Sequence, residues 1–415
     1  MAKEQYIVGL DIGTQNVRAI QAKVDETGEL RVVGSSSVAA GGMRKGVIVD
    51  IEEAVSSISH ALEKVERMTG VPVNRANISV GGNHITAIES KGVIAVSKAD
   101  GEITENDIVR VVDASQAISM PPNREVIHVI PKNFTLDGQS GIKDPLGMTG
   151  IRLEVETLII HGGLPYLKNL TKAIAQAGVE IDELVLAPLA CAQAVLNKRQ
   201  KELGVVVVDL GAGTTSLSVY EENNLLHAAI IPVGGMHVTN DIAIGLRCTV
   251  DTAEKVKLMY GNALANQVDR HAEINLAELD PDEQERIPQH QVVEIMEARL
   301  EEIFDYVLKE LKKIDRDGKL PAGVVLTGGG SHMPGIVEFA KRQLRLPVQL
   351  GSVQNLNSII DDATDPAFAT VSGLVLWGSK YSSPMPGGAL LNNVSNLFDH
   401  QSVNKLKKIF KSFLP

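Results

Sequence analysis

The feature that most constrains this chain is a glycine turn that occurs twice in the same setting. An apolar run over 6–10 ends in an acid and a turn, Asp11-Ile12-Gly13-Thr14-Gln15-Asn16. A second run follows over 17–22, then a turn at Gly28 and a third run over 30–33. Near the middle the order returns: a run over 205–210 carrying Asp209, the turn Gly211-Ala212-Gly213-Thr214-Thr215, a run over 217–220, an Asn223-Asn224 turn and a run over 225–231. One copy alone is a favourable hairpin turn. Two copies in matching contexts predict an internally duplicated fold with one phosphate-type turn in each half. Glycine lets backbone N–H groups approach a phosphate closely, and Thr14, Thr214 and Thr215 add hydroxyl donors. Asp11 and Asp209 would repel that phosphate unless a cation stood between, so both are expected to hold Mg2+ through its waters.

At 415 residues the chain is too long for one small module and fits a bilobal body. Helices are expected at 51–68, 241–247, 253–260 and 292–314, from apolar residues recurring at three- and four-residue steps. Between the two halves, 84–163 reads as an inserted module with strands near 85–88, 93–96, 126–130 and 153–160. Its helix is capped by Thr104, with Asp107 three residues on. No charge-free stretch approaches the ~20 apolar residues of a spanning helix, and the first residues lack the pattern of a secretion signal. The expectation is a cytosolic chain. Cys191 and Cys248 stand far apart and no metal-ligating histidine pair is present, so neither disulfides nor structural zinc are expected. A formal net charge of −11 argues against nucleic acid as a partner.

A third glycine cluster, Thr327-Gly328-Gly329-Gly330-Ser331, follows an apolar run and precedes a helix expected over 336–344. Such a junction lets a flat ring slide against backbone beside a helix N-terminus. The three clusters in this order resemble the actin, Hsp70 and sugar-kinase superfamily. That resemblance implies phosphate turns at 9–18 and 207–216, an adenosine site at 325–335, and linking helices at 184–196 and 365–376. It gives ATP contacts to Gly13, Thr14, Gln15, Asn16, Gly211, Gly213, Thr214, Thr215, Gly328, Gly329 and Gly330. Glu254 and Lys257, one turn apart, resemble the pair that reaches ribose and base. Asp209 is the one candidate for placing an attacking water. Ala187-Pro188 stands where Hsp70-like relatives carry a glutamate before the proline, so at most slow ATP hydrolysis is expected.

The segment from Val126 through Asp144-Pro145-Leu146-Gly147 to Glu156 resembles the inserted domain of the bacterial FtsA cell-division family, and Arg44-Lys45-Gly46-Val47-Ile48-Val49-Asp50 also fits. The implied fold is α/β: an actin-like bilobal body of two duplicated RNase H-like subdomains, 1A and 2A, with inserted subdomains 1C and 2B. The expected divisions are 1–83 and 164–196 for 1A, with about 365–380 returning to it, and 84–163 for 1C. Subdomain 2A takes 197–231 and 315–364, and 2B takes 232–314. A linker over 381–401 then leads to a membrane-targeting helix at 402–415.

The tail can also be read by itself. Val403, Leu406, Ile409, Phe410, Phe413 and Leu414 recur at helical spacing beside Lys405, Lys407, Lys408 and Lys411, the pattern of a helix lying in a membrane interface. The alternative is a docking helix that packs on its own protein or on a partner, and the linker before it favours the membrane. The four lysines of 402–415 leave −15 on the rest of the chain. The resemblance implies ATP-dependent homopolymers on the cytoplasmic face of the membrane at the division septum. It also implies partnership with anionic lipids, with the tubulin-like protein FtsZ and with other division proteins. Arg299 is the candidate for a charge contact with FtsZ, against the alternative of an ordinary surface ion pair on a solvent-facing helix position. Two other readings share the nucleotide motifs: a cytosolic type IV pilus component, which gives no reason for the basic tail, and a sugar kinase, for which no catalytic base stands out.

Overall fold

A computed structural model describes residues 5–381, apart from 26–27, 118–120, 282, 284, 355 and 359–363. The tail and its eight candidate membrane residues therefore lie outside the described residues. The first lobe is a six-stranded sheet in the spatial order Glu180–Leu186, Arg75–Val80, Gln5–Ile12, Asn16–Val24, Leu30–Ala39 and Asn357–Ser358. The second is five-stranded: Val348–Leu350, Gly323–Thr327, Val205–Leu210, Thr215–Glu221 and Asn224–Ile231. In each, three antiparallel strands form a meander whose first member gains a parallel neighbour on its free side. The order and sense of five strands repeat, so the duplication read from the glycine turns is a duplication of topology.

Local chemistry explains the meander and the crossovers. The acid-glycine turns close antiparallel pairs in register, Ile12 opposite Val17 and Leu210 opposite Thr215. A parallel neighbour needs a longer crossover, which helices supply. In the first lobe this is Ile51–Thr69, capped by Asp50 and ended by Gly70 in the left-handed region. In the second lobe Gly235–Leu246, Val250–Tyr260 and the long Gln289–Lys313 intervene. Val205, Val206, Val207 and Val208 are fully buried because helices cover both faces of that sheet.

Three expected helices are redrawn. Residues 184–186 belong to the strand Glu180–Leu186, which pairs in parallel with Arg75–Val80, and only Ala187–Val195 is helical. Pro188 sits in the first turn, where its missing N–H costs nothing. The other linking helix is Ala369–Tyr381, preceded by a short 3-10 turn in which Asp365 caps Ala367. The 241–247 helix starts earlier, at Gly235, propped against the second glycine turn.

The insert is a four-stranded antiparallel sheet, in the order Thr86–Ala95, Arg152–Gly163, Arg124–Leu136 and Gln139–Ile142, with the helix Glu105–Ser115 on one face. The two short strands expected at 85–88 and 93–96 are one continuous strand. The capping box at Thr104 and Asp107 is present, and buried Asp107 also accepts from Ser97. The other face of the insert, with Ile130, Leu158 and Ile160, joins a core shared with both linking helices and with Tyr220, Leu225 and Ala228 of the second lobe.

Candidate functional site

The two glycine turns face each other across a cleft between the lobes. A Cβ on Gly213 would stand 2.8 Å from Thr14 Cγ2, so only glycine lets the turns approach this closely. Asp11, Gly13, Thr14, Gln15, Asn16, Asp209, Gly211, Gly213, Thr214, Gly328 and Gly329 line one cavity of about 820 Å³, part of it open to solvent. The enclosed part is far smaller, about 120 Å³, and what suits a phosphate-bearing ligand is the lining of glycine turns, hydroxyls and carboxylates. Gly328 has φ of +80°, and a side chain there would overlap Asp209 Oδ1. The third glycine cluster therefore abuts the metal-type carboxylate rather than standing apart from it.

The carboxylates are electrostatically frustrated. Burial pushes the Asp11 carboxyl up, against a 2.6 Å hydrogen bond from Ser79 Oγ and the charge of Arg18. Asp209 is pushed up to about 6 by burial and then by the Asp11 charge, with Arg18 and a 3.3 Å hydrogen bond from Thr370 opposing. Arg18 lines the same cavity, and its buried Nε has no hydrogen-bond partner among the described residues. Two half-buried acids that repel each other and a cationic donor without a partner among the described residues fit a ligand that brings both a divalent cation and anionic oxygens. Asp11 and Asp209 would hold the cation, which when bound neutralises phosphate charge.

Four lining residues with polar side chains fall outside the sequence expectation: Arg18, Ser79, Ser216 and Thr370. Arg18 is the cross-strand partner of Asp11, and Ser216 is the partner of Asp209. The same offset from the acid in both copies was a usable signal. Ser79 and Thr370 come from elements distant in the chain and left no such mark. Ala187 also lines the cavity, at the start of its linking helix.

Some expected residues are placed elsewhere. Thr215 is fully buried and its Oγ1 donates to the Val233 carbonyl at 2.8 Å, so its hydroxyl props the fold. Gly330 packs on Leu210 and is not among the lining residues. Glu254 and Lys257 also stand outside the lining and bind each other at 2.6 Å, with Thr239 donating to the same carboxylate. Burial pushes the Glu254 carboxyl up, but the hydrogen bonds from Lys257 and Thr239 bring it below its ordinary value. Gln15 Nε2 reaches Glu254 Oε1 at 3.4 Å, a link between the first turn and the second lobe's helix. Arg299 is not solvent-facing: it is three-quarters covered, grips Asp241 at 2.5 and 3.0 Å, and also pairs with Glu302.

Comparison with known proteins fits this geometry. A family model described as cell division protein FtsA matches residues 206–373, and one described as the SHS2 domain inserted in FtsA matches residues 82–161. The chain is 37% identical to the cell division protein FtsA of Pseudomonas aeruginosa, covering 91% of this chain and 90% of that protein. It is 36% identical to the FtsA of Bacillus subtilis, covering 94% and 89%. Among solved structures it resembles a type IV pilus PilM-PilN complex (TM-score 0.66, 15% identity, 90% of this chain and 98% of that one). It also resembles MreB5 of Spiroplasma citri bound to ADP (TM-score 0.51, 15% identity, 90% and 96%). At those identities the structures speak for the actin-like fold alone, whereas the sequence relatives decide the branch. With more than a third of its residues shared with full-length relatives over nine-tenths of its length, the chain belongs to the FtsA family of cell-division proteins, of the actin-like ATPase type.

Proposed function

We propose that this protein binds ATP with Mg2+ between its lobes, polymerises on the cytoplasmic face of the membrane, and tethers FtsZ filaments there at the division site. The observation that carries the nucleotide part is the pairing of half-buried Asp11 and Asp209 across a glycine-lined cavity with an Arg18 Nε that has no partner among the described residues. MreB5, a fold neighbour, has been solved with ADP bound. Hydrolysis in this reading is slow. Ala187 offers no carboxylate at its place on the cavity wall, and Asp209 acts on water only through the cation. Phosphate release at saturating ATP should run well below the ~10 per second of ordinary enzymes, and an ordinary rate would show that another residue activates water.

The tether part rests on the sequence of residues 402–415, where an apolar face and four lysines of one sign suit an anionic leaflet. A single tail binds reversibly, and assembly multiplies the contacts, so ATP-dependent polymerisation and stable attachment should appear together. The subdomain divisions given above, with 2B as the seat of FtsZ, belong to the same proposal. Arg299 in that role would have to exchange its Asp241 partner for one on FtsZ or act by holding the helix in place. FtsZ should be drawn to supported bilayers only when this protein, its intact tail and ATP are all present. Equal recruitment by protein lacking residues 402–415 would reject the tether.

A further inference from the structure

The two linking helices meet again far from the cavity. Ala187 and Thr370, at or near their first residues, line the cavity, and both helices run away from it. From Thr370 to Lys380 an α-helix rises about 15 Å. At that far end Lys380 reaches Gln193, near the close of the first linking helix, and the short helix Lys198–Leu203 follows that helix almost at once. Lys198 and Arg199 are exposed. Lys201 stands 5.0 Å from the Tyr220 ring, and Lys380 donates to Gln193 Oε1 at 2.8 Å.

These cations are crowded. Burial and then the charge of Lys380 bring the Lys201 ammonium down to about 8, and burial and then Lys198 lower Lys380 in turn. Among the described residues none of Lys198, Arg199, Lys201 and Lys380 forms an ion pair. Of the neighbouring acids, Glu202 is engaged by Asn223, and the Glu222 carbonyl accepts from Lys143 of the insert at 3.0 Å, which brings a fifth cation to the same face. Glu202 and Glu222 keep their carboxylate charges there, so a body that carries −15 outside its tail gathers five cations against these two acids at one place. That place is where the described chain ends, one residue after Lys380, with residues 382–415 leading on to the amphipathic segment.

We propose that Lys198, Arg199, Lys201 and Lys380 form a second membrane contact, which seats the body on anionic lipid headgroups and fixes the face it turns to the bilayer. The inference rests on the membrane reading of the tail. In the sequence reading the tail leaves the body beside Lys380, so this is the face from which the expected membrane segment starts. Each lysine close to an anionic leaflet adds to the attraction, and salt screens it. Because both linking helices start at the cavity, this face also sits at the opposite end of the elements that join the lobes.

The test uses the full-length protein on vesicles of phosphatidylglycerol with phosphatidylcholine, and of phosphatidylcholine alone. Lys198→Glu with Arg199→Glu should lower partition onto the anionic vesicles about tenfold or more at low salt and flatten its salt dependence, with little change on neutral vesicles. The same charge change on second-lobe helices, Lys312→Glu with Lys341→Glu, should cost far less. A fluorophore at Gln200→Cys should be quenched by spin-labelled lipid more than one at Arg67→Cys. Equal losses from the two charge pairs, or equal quenching at the two labels, overturn the patch. If Phe410→Glu abolishes binding while the Lys198 and Arg199 pair changes nothing, the patch is overturned and the tail reading stands. If neither variant loses binding, both fall.

Discussion

At the scale of single residues, the site is built from groups that are uncomfortable without a ligand. Asp209 shows the consequence most directly. Its folded carboxyl keeps its proton up to about pH 6, whereas an unfolded aspartate releases it near 3.8. The folded state therefore binds the extra proton between those values, and the stability this group lends is full below 3.8 and lost as pH rises through about 6. Asp209→Asn should accordingly raise the apo thermal midpoint at about pH 8 by the equivalent of up to roughly 3 kcal/mol and converge on the parent protein toward pH 4. The Asp11 and Asp209 carboxyls titrate as a pair, so the transition belongs to both. The same substitution should weaken Mg2+-dependent ATP binding by an order of magnitude or more. In the parent protein that affinity should fall as pH drops through 6. Equal apo midpoints for the two proteins at about pH 8 would show that the carboxyl is not strained as described.

Among elements, the linking helices join the two lobes through a shared core. They cross where Gly373 lies directly on the Ala190 carbonyl, with no room for a side chain. Gly373→Ala should force the helices apart and lower stability by about 1–3 kcal/mol, typical of overpacking, with a matching fall in denaturant midpoint. A second device ties the insert to this hinge. His128, on the insert strand Arg124–Leu136, is buried, accepts a 3.0 Å hydrogen bond from Leu186 N, and packs near the Trp377 ring. Burial lowers His128 to about 4, which keeps the ring neutral and its Nε2 an acceptor at physiological pH. Leu186 immediately precedes Ala187 on the cavity wall, so a side chain of the insert braces the start of the linking helix. His128→Leu leaves the Leu186 amide unpaired at a cost of about 1–3 kcal/mol, whereas His128→Gln, able to accept again, should recover part of it. Equal losses from Leu and Gln would assign the effect to packing against Trp377 alone.

For the whole molecule, three bodies share one core. Residues of the insert, of both linking helices and of the second lobe's meander pack together, so the insert is not an appendage on the first lobe. Thr14 opposite Gly213 and Gln15 reaching Glu254 are the contacts through which a bound nucleotide would tie the lobes. Binding to the folded state alone then stabilises by mass action, about 2.7 kcal/mol at a hundredfold excess over the dissociation constant. ATP with Mg2+ should raise the thermal midpoint, and chelation of the metal should remove most of the rise. A midpoint indifferent to ATP and Mg2+ would count against the cavity as the nucleotide site.

The sequence by itself determined the duplication, because each copy of the acid-glycine turn sits between apolar runs of strand length and such turns dictate antiparallel register locally. It also determined the capped helix of the insert and most of the glycine-turn residues that line the cavity, whereas its reading of the tail falls outside the described residues. What it did not determine are contacts between segments far apart in the chain: Ser79 on Asp11, Thr370 on Asp209, His128 beneath Leu186, Arg299 locked by Asp241, and Lys380 on Gln193. The strand character of 184–186 belongs to the same class, since an apolar run of that length suits helix or strand until a parallel neighbour claims its backbone hydrogen bonds. Local periodicity records what a segment can form. Which partner satisfies its buried polar groups is settled only when the two lobes and the insert close on one core.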